Sequence, residues 1–286
     1  MSARKKSTAP MDALRDMLAN PNAAIDLAEA ALLLAACDAP AADLSDYRAH
    51  MKSLFEAIDD EALRRDLDAR TAAPDELAGV LSAVIAGAFQ YRGDEETYDD
   101  LDNANLMRVI DRRKGLPVVL GILYIAAAKR QGWNVAGLSF PGHFLVRLES
   151  EDGSRAIIDP FHDGQIMDTH ALRDLLKVVA GPAEELDASH YAAVSDREIL
   201  LRLQNNVKTR RLDLGQMDSA LAALETMQVL SPDNPALYRE AGLLNLRLGQ
   251  LSDALRSLES YLDHAPLGPE RSRIDTVVKD LKQRIN

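Results

Sequence analysis

The stretch Gly115-Leu116-Pro117-Val118-Val119-Leu120-Gly121-Ile122-Leu123-Tyr124-Ile125-Ala126-Ala127-Ala128 decides the fold. Gly115-Leu116-Pro117 breaks the chain and opens a helix, with the proline in the first turn, where a missing N–H costs nothing. The residues after it carry no polar stripe, and a helix apolar on every side belongs in the centre of a domain. Gly132 stands where a glycine would end it. Beyond that point the period changes from helical spacing to two. Val135, Gly137 and Ser139 alternate with Ala136, Leu138 and Phe140, the turn Pro141-Gly142 follows, and Phe144 to Leu148 reads as the next strand. Asp152-Gly153 is a hairpin turn signal, and Ala156-Ile157-Ile158 is the return strand. A central helix followed by an antiparallel sheet of about three strands is an α+β arrangement.

Upstream, residues 26–89 are rich in Ala, Leu and Arg at helical spacing, punctuated by Pro40 and Pro74. Cys37 falls near the end of the first helix there and reads as a small buried hydrophobe. Residues 93–102 form an acidic, turn-like connection, and a short helix from Asn105 to Arg113 leads to the break at Gly115. Residues 1–24 are expected to be a flexible tail, 25–180 a domain with a helical N-terminal part, 181–196 a linker, and 197–286 a separate helical region.

That last region repeats. Leu214 and Leu248, Gly215 and Gly249, Ala220 and Ala254, Leu221 and Leu255, Leu224 and Leu258, and Pro232 and Pro266 are each 34 residues apart. A 34-residue period of Leu-Gly, Ala-Leu and Pro is the tetratricopeptide signature of stacked helix pairs. Two repeats and a capping helix (Ile274 to Ile285) fall short of the three that stand alone, so the repeats are expected to pack on the preceding domain.

The composition narrows the function classes. A net charge of -12 argues against a protein built to grip phosphate backbones. Arg112-Arg113-Lys114 is a local basic run that reads as a solvated helix end. One cysteine permits no intramolecular disulfide and no cysteine-rich zinc site. No apolar segment follows the basic Met1 to Pro10 stretch as in a secretory signal, and no run approaches the roughly 18 apolar residues that span a bilayer. The expectation is a cytoplasmic protein with no nucleic-acid or membrane partner and no cofactor.

Three features line up in order: Gly115-Leu116-Pro117, Gly142-His143-Phe144 and Ile158-Asp159-Pro160. Cysteine-type acyl transfer needs a thiolate at a helix N-terminus, a His to share its proton and an Asp to hold the imidazole. Residues 112–120, 140–147 and 158–161, with Leu203-Gln204-Asn205-Asn206 and Gly242-Leu243-Leu244, resemble the bacterial SirB-one family over nearly the whole chain. That resemblance implies a papain/transglutaminase-like helix-plus-antiparallel-sheet core followed by all-α tetratricopeptide repeats. It places the nucleophile at or beside Pro117, the general base at His143 and the orienting acid at Asp159. Proline offers no nucleophile. Cys37 could replace it only if its helix folded onto the site, and Ser139 lies on a strand rather than at a helix start.

Three readings of His143 and Asp159 follow. The pair cross-links two strands; or it marks a relic cleft that binds a peptide or small polar ligand, with Gly142, Phe144, Phe161 and His162 around it; or His143, Asp159 and His162 hold a metal. His162-Asp163-Gly164 reads equally well as a turn, and no metal is assigned. His50, His170, His190 and His264 read as surface residues, and Trp133 and Tyr124 as core. The leading expectation is a non-catalytic adaptor or regulator that binds a protein or peptide partner. The alternative is a hydrolase or transferase using His143 and Asp159 without a cysteine, and a third is a regulatory role exerted through a protein partner. Oligomeric state is not readable from the sequence.

Overall fold

The computed structural model describes residues 9–20, 23–68 and 71–285, and its contacts separate Met1–Leu200 from Leu201–Asn286. In the first unit α1 (Ala9–Leu18), α2 (Leu27–Ala36), α3 (Ser45–Arg64) and α4 (Pro74–Ser82) come first, and α4 runs directly into a π-helix, Ala83–Ala88. Then follow β1 (Arg92–Gly93), a 3-10 turn at Leu101–Ala104, α5 (Leu106–Arg112), β2 (Lys114–Gly115) and α6 (Pro117–Arg130). The sheet region holds β3 (Val135–Leu138), β4 (Val146–Glu149), β5 (Arg155–Asp159), a 3-10 turn at Pro160–His162 and β6 (Gln165–Ile166). The unit closes with α7 (Thr169–Ala180) and β7 (Ala193–Val194).

Helix α6 occupies the centre, as its composition requires. Every residue from Pro117 to Ala128 is buried, at roughly 1.5–3 kcal/mol for each large aliphatic side chain removed from water. Helices α2, α3 and α4, strands β3 and β4 and the Pro160–His162 turn pack around it. Its start is fixed from outside, because the Leu116 N–H donates to the Asn103 carbonyl at 3.0 Å. Its end is at Gln131, and Gly132 takes φ +75°. Gly121 is a point of close approach: a Cβ there would lie 2.3 Å from Phe144 Cε1.

The sheet is antiparallel, in the order β6-β5-β4-β3-β7. The three longer strands are those expected from the period-two pattern. The outer two have only two residues each, too short for alternation to reveal them. Two boundaries expected from the sequence change. Residues 1–24 are not wholly a tail, since α1 buries Leu14 and Leu18; residues 1–8 and 21–22 lie outside the described residues. Residues 181–196 are not only a linker, since β7 within them pairs with β3. Cys37 is half-buried at the C-cap of α2 rather than fully enclosed.

The second unit continues from α8 (Asp196–Asp213), which crosses the division, into α9 (Met217–Leu230), α10 (Pro235–Arg247), α11 (Leu251–His264) and α12 (Pro269–Ile285). The 34-residue period is repeated in the backbone. Gly215 and Gly249 take φ +70° and +71°. Gln216 N donates to Arg211 O at 2.7 Å, and Gln250 N to Asn245 O at 2.9 Å. Ala220, Leu224, Ala254 and Leu258 are fully buried at equivalent positions. Gly242 is needed because a Cβ would meet Leu258 Cδ2 at 2.4 Å. Lys208 donates to Glu240 at 2.9 Å within this unit.

The close approach at Gly121 gives a test of the packing. Gly121→Val should destabilise the protein by about 1–3 kcal/mol through overpacking, and Phe144→Leu in the same chain should recover part of that loss. Urea unfolding of the two single variants and the double variant measures the coupling.

Candidate functional site

The turn between β3 and β4 carries His143, and its geometry depends on the residue before it. Gly142 has φ +64°, and a Cβ there would lie 2.9 Å from Cβ of Val179 on α7. Asp159 is the last residue of β5. The pairing of Val146 with Ile158 brings that end of β5 beside the start of β4, and so brings His143 to Asp159. The His143 Nε2–H donates to Asp159 Oδ1 at 2.8 Å. The same oxygen accepts the Phe161 N–H at 2.9 Å, and Oδ2 accepts His162 Nδ1–H at 2.7 Å. One buried carboxylate therefore holds two imidazoles and starts the 3-10 turn.

Burial on its own would push the Asp159 carboxyl up. The hydrogen bond and charge of His143, and then those of His162, outweigh it and hold the group below the ordinary carboxylate range. An ionised Asp159 accepts only, so each imidazole turns a donor toward it. A neutral His143 then keeps its basic lone pair on Nδ1, and a neutral His162 keeps its own on Nε2. His162 Nε2 lies 3.8 Å from Glu95 Oε1.

The site is narrow. Asp159 is 1% exposed and His143 8%. Phe161 meets the His143 ring edge-on at 6.1 Å between centroids, and His162 stacks on it at 6.0 Å. Phe161 and His162 therefore flank the imidazole, with His162 the exposed member. Phe144 does not fit the expected ligand contact: it is buried, and its ring fills the space left by Gly121 and Gly137. Pro117 is buried in the first turn of α6 between Leu116 and Val118, neither of which has a nucleophilic atom. The Pro160–His162 turn packs on both α6 and β1. Burial, with Asp38 adding to it, pushes the Cys37 thiol up to about 11. His143, Asp159 and His162 each offer one ligand atom, all within 4.8 Å of one another. A cation bound there would have to displace the two N–H to carboxylate bonds.

Sequence reading missed a second polar cluster. His50 is not a simple surface residue: its Nε2 lies 2.8 Å from Tyr91 Oη and 2.7 Å from Arg113 Nη1. The Arg113 guanidinium also sits 4.8 Å above the Tyr91 ring. Burial, and then the Arg113 charge, push His50 down to about 4. Nor is Arg112 a solvated helix end. It donates to the buried Asp94 at 3.1 Å and lies 3.3 Å from Asp100. Asp94 also accepts the Thr97 hydroxyl at 2.7 Å, which places one residue of the acidic connection in the interior. No periodicity marks these contacts, since 63 positions separate His50 from Arg113.

Residues 45–205 match the model of the transglutaminase-like superfamily, and residues 208–279 that of the tetratricopeptide repeat. A UPF0162 protein of Xylella fastidiosa is 31% identical over 88% of this chain and 88% of its own. Protein SirB1 of Salmonella typhimurium is 27% identical over 71% of this chain and 77% of its own. Among solved structures, a crystal structure of menin aligns with a TM-score of 0.42 at 10% identity, covering 88% of this chain and 69% of that one. Among the described residues, no helix is long and apolar enough to cross a membrane.

Two pH effects follow from the site and the cluster. His50 has a lower pKa folded than the roughly 6.5 of an unfolded histidine, so protonation favours the unfolded chain. Its contribution is complete above that value and is lost as pH falls toward 4. A His50→Gln chain should show a flatter decline over that interval in thermal melts. Asp159 is held below its unfolded value of about 3.9, so its contribution is present above that value and disappears as pH drops through the folded one. Asp159→Asn should be less stable at neutral pH and should lose less on acidification than the parent, in the same melts.

Proposed function

This chain belongs to the transglutaminase-like superfamily, among bacterial SirB1 and UPF0162 relatives with C-terminal tetratricopeptide repeats, and we propose that it is a non-catalytic cytoplasmic adaptor that binds a protein or peptide partner. The observation that carries this reading is the start of α6. Pro117, with Leu116 and Val118 on either side, stands where a thiolate would profit from the helix dipole. The single thiol of the chain does not replace it. Cys37 sits at the C-terminal end of α2, and its raised pKa keeps it protonated at neutral pH. His143 and Asp159 then serve as a cross-link between the start of β4 and the end of β5, with the carboxylate satisfied from three sides.

Binding is assigned to the repeats, because stacked helix pairs present extended surfaces to peptides and partner helices. On α10 the exposed residues Ala236, Leu243 and Arg247 share one face, and Leu243 is a large apolar side chain left 43% exposed there.

The retained His143–Asp159 hydrogen bond favours one second reading, in which an oriented imidazole activates water for hydrolysis without a covalent step. The two readings separate in one set of variants. Peptides selected from a displayed random library on the parent protein should lose binding to Leu243→Glu/Arg247→Glu by about tenfold or more, the scale of an interface anchor. They should bind His143→Ala unchanged. Loss on His143→Ala with none on the α10 variant, or ester or peptide turnover that disappears with His143, would replace the adaptor with the site at His143.

A further inference from the structure

The basic run Arg112-Arg113-Lys114 and the π-helix have no part in the reading above, yet they meet at one place. A cavity of about 700 Å³ is lined by Ser82, Ala83, Ala86, Gly87 and Gln90, by the three arginines Arg92, Arg112 and Arg113, and by Asp163. That volume lies within the range of small-molecule sites, roughly 300–1,000 Å³. We propose that this cavity is a binding site for a phosphate group, free or carried on a small organic ester, with Arg92 and Arg113 as its principal contacts.

The charge balance of the lining points to an anion. The chain has 45 acidic against 33 basic residues, but here three arginines face one aspartate. Arg112 is already committed to Asp94 and Asp100. The other two are not neutralised. Arg113 donates to the uncharged acceptors Tyr91 Oη and His50 Nε2. Among the described residues no carboxylate pairs with Arg113, and the Arg92 guanidinium has no hydrogen-bond or ion-pair partner. The backbone holds these two residues together, since β1 and β2 pair in parallel and Arg92 N donates to Arg113 O at 3.0 Å. Both residues line the same cavity, and guanidinium groups offer the planar, forked donors that phosphate oxygens accept.

The backbone around the cavity is also unusual. Gln90, Arg113 and Asp163 take φ of +60°, +60° and +56°, so three of the four non-glycine residues with positive φ among the described residues lie on its wall. The π-helix Ala83–Ala88 forms another side, a backbone form that often accompanies functional sites. It presents Ala83, Ala86 and Gly87 to the cavity, and these small side chains leave room for the remainder of an ester.

The test is calorimetric titration of the full chain with inorganic phosphate and, separately, with ribose 5-phosphate, at constant ionic strength. Saturable binding is expected, weakened about tenfold or more by Arg92→Ala, the scale of a lost charge-assisted hydrogen bond. Arg92 is exposed and its guanidinium holds no hydrogen bond or ion pair among the described residues, so the variant should melt with the parent. Arg113→Lys, which keeps the charge but loses the fork, should weaken binding as well. Tighter binding of the sugar phosphate assigns the site to an ester, and equal or weaker binding assigns it to free phosphate. No saturable binding of either probe, or binding that both variants retain in full, overturns the proposal.

Discussion

A helix with no polar face cannot be left at a surface, and α6 imposes that condition on the first unit. Removing residues 117–128 from water needs neighbours on every side, and the chain supplies them from both directions: α2, α3 and α4 before it, β3, β4 and the Pro160–His162 turn after it. The two glycines that look like interruptions, Gly121 in the helix and Gly137 in β3, are where the Phe144 ring enters. Sheet and helix are locked together by one aromatic side chain, and that side chain directly follows His143. Packing and the position of the imidazole are therefore consequences of the same contact.

The carboxylate of Asp159 organises the site in the same economical way. Its two oxygens accept from His143, from the Phe161 backbone and from His162. A buried carboxylate with that many donors remains ionised in spite of desolvation, because leaving it unpaired would cost more than ordering its partners. Ionised Asp159 then decides which nitrogen of each imidazole carries the proton. The arrangement has the orientation of an acid–base pair, but the first turn of α6 brings it no thiol or hydroxyl.

A comparable arrangement operates on the acidic side of the domain. The connection from Gly93 to Asp102 carries an excess of negative charge, and one member, Asp94, is drawn inside by Thr97, Arg112 and, at 3.8 Å, Lys114. Pulling Arg112 toward the acids leaves Arg113 turned to Tyr91 and His50. The αL conformation of Arg113 makes this divergence of adjacent side chains possible.

Periodicity and composition determined the central helix, the three longer strands and the 34-residue repeat. Each of these is written in local residue order, where spacing alone distinguishes a helix face from a strand face. Resemblance to a known family supplied the pairing of His143 with Asp159, and the register of β4 with β5 then gave it a distance. Other features depended on tertiary structure: the two-residue edge strands, the helix at Ala9–Leu18, the burial of Phe144 and Asp94, and the meeting of His50, Tyr91 and Arg113. A two-residue strand has no period to read, and a contact across tens of residues leaves no pattern in a single sequence. Both form only when the buried helix has drawn distant segments onto its surface.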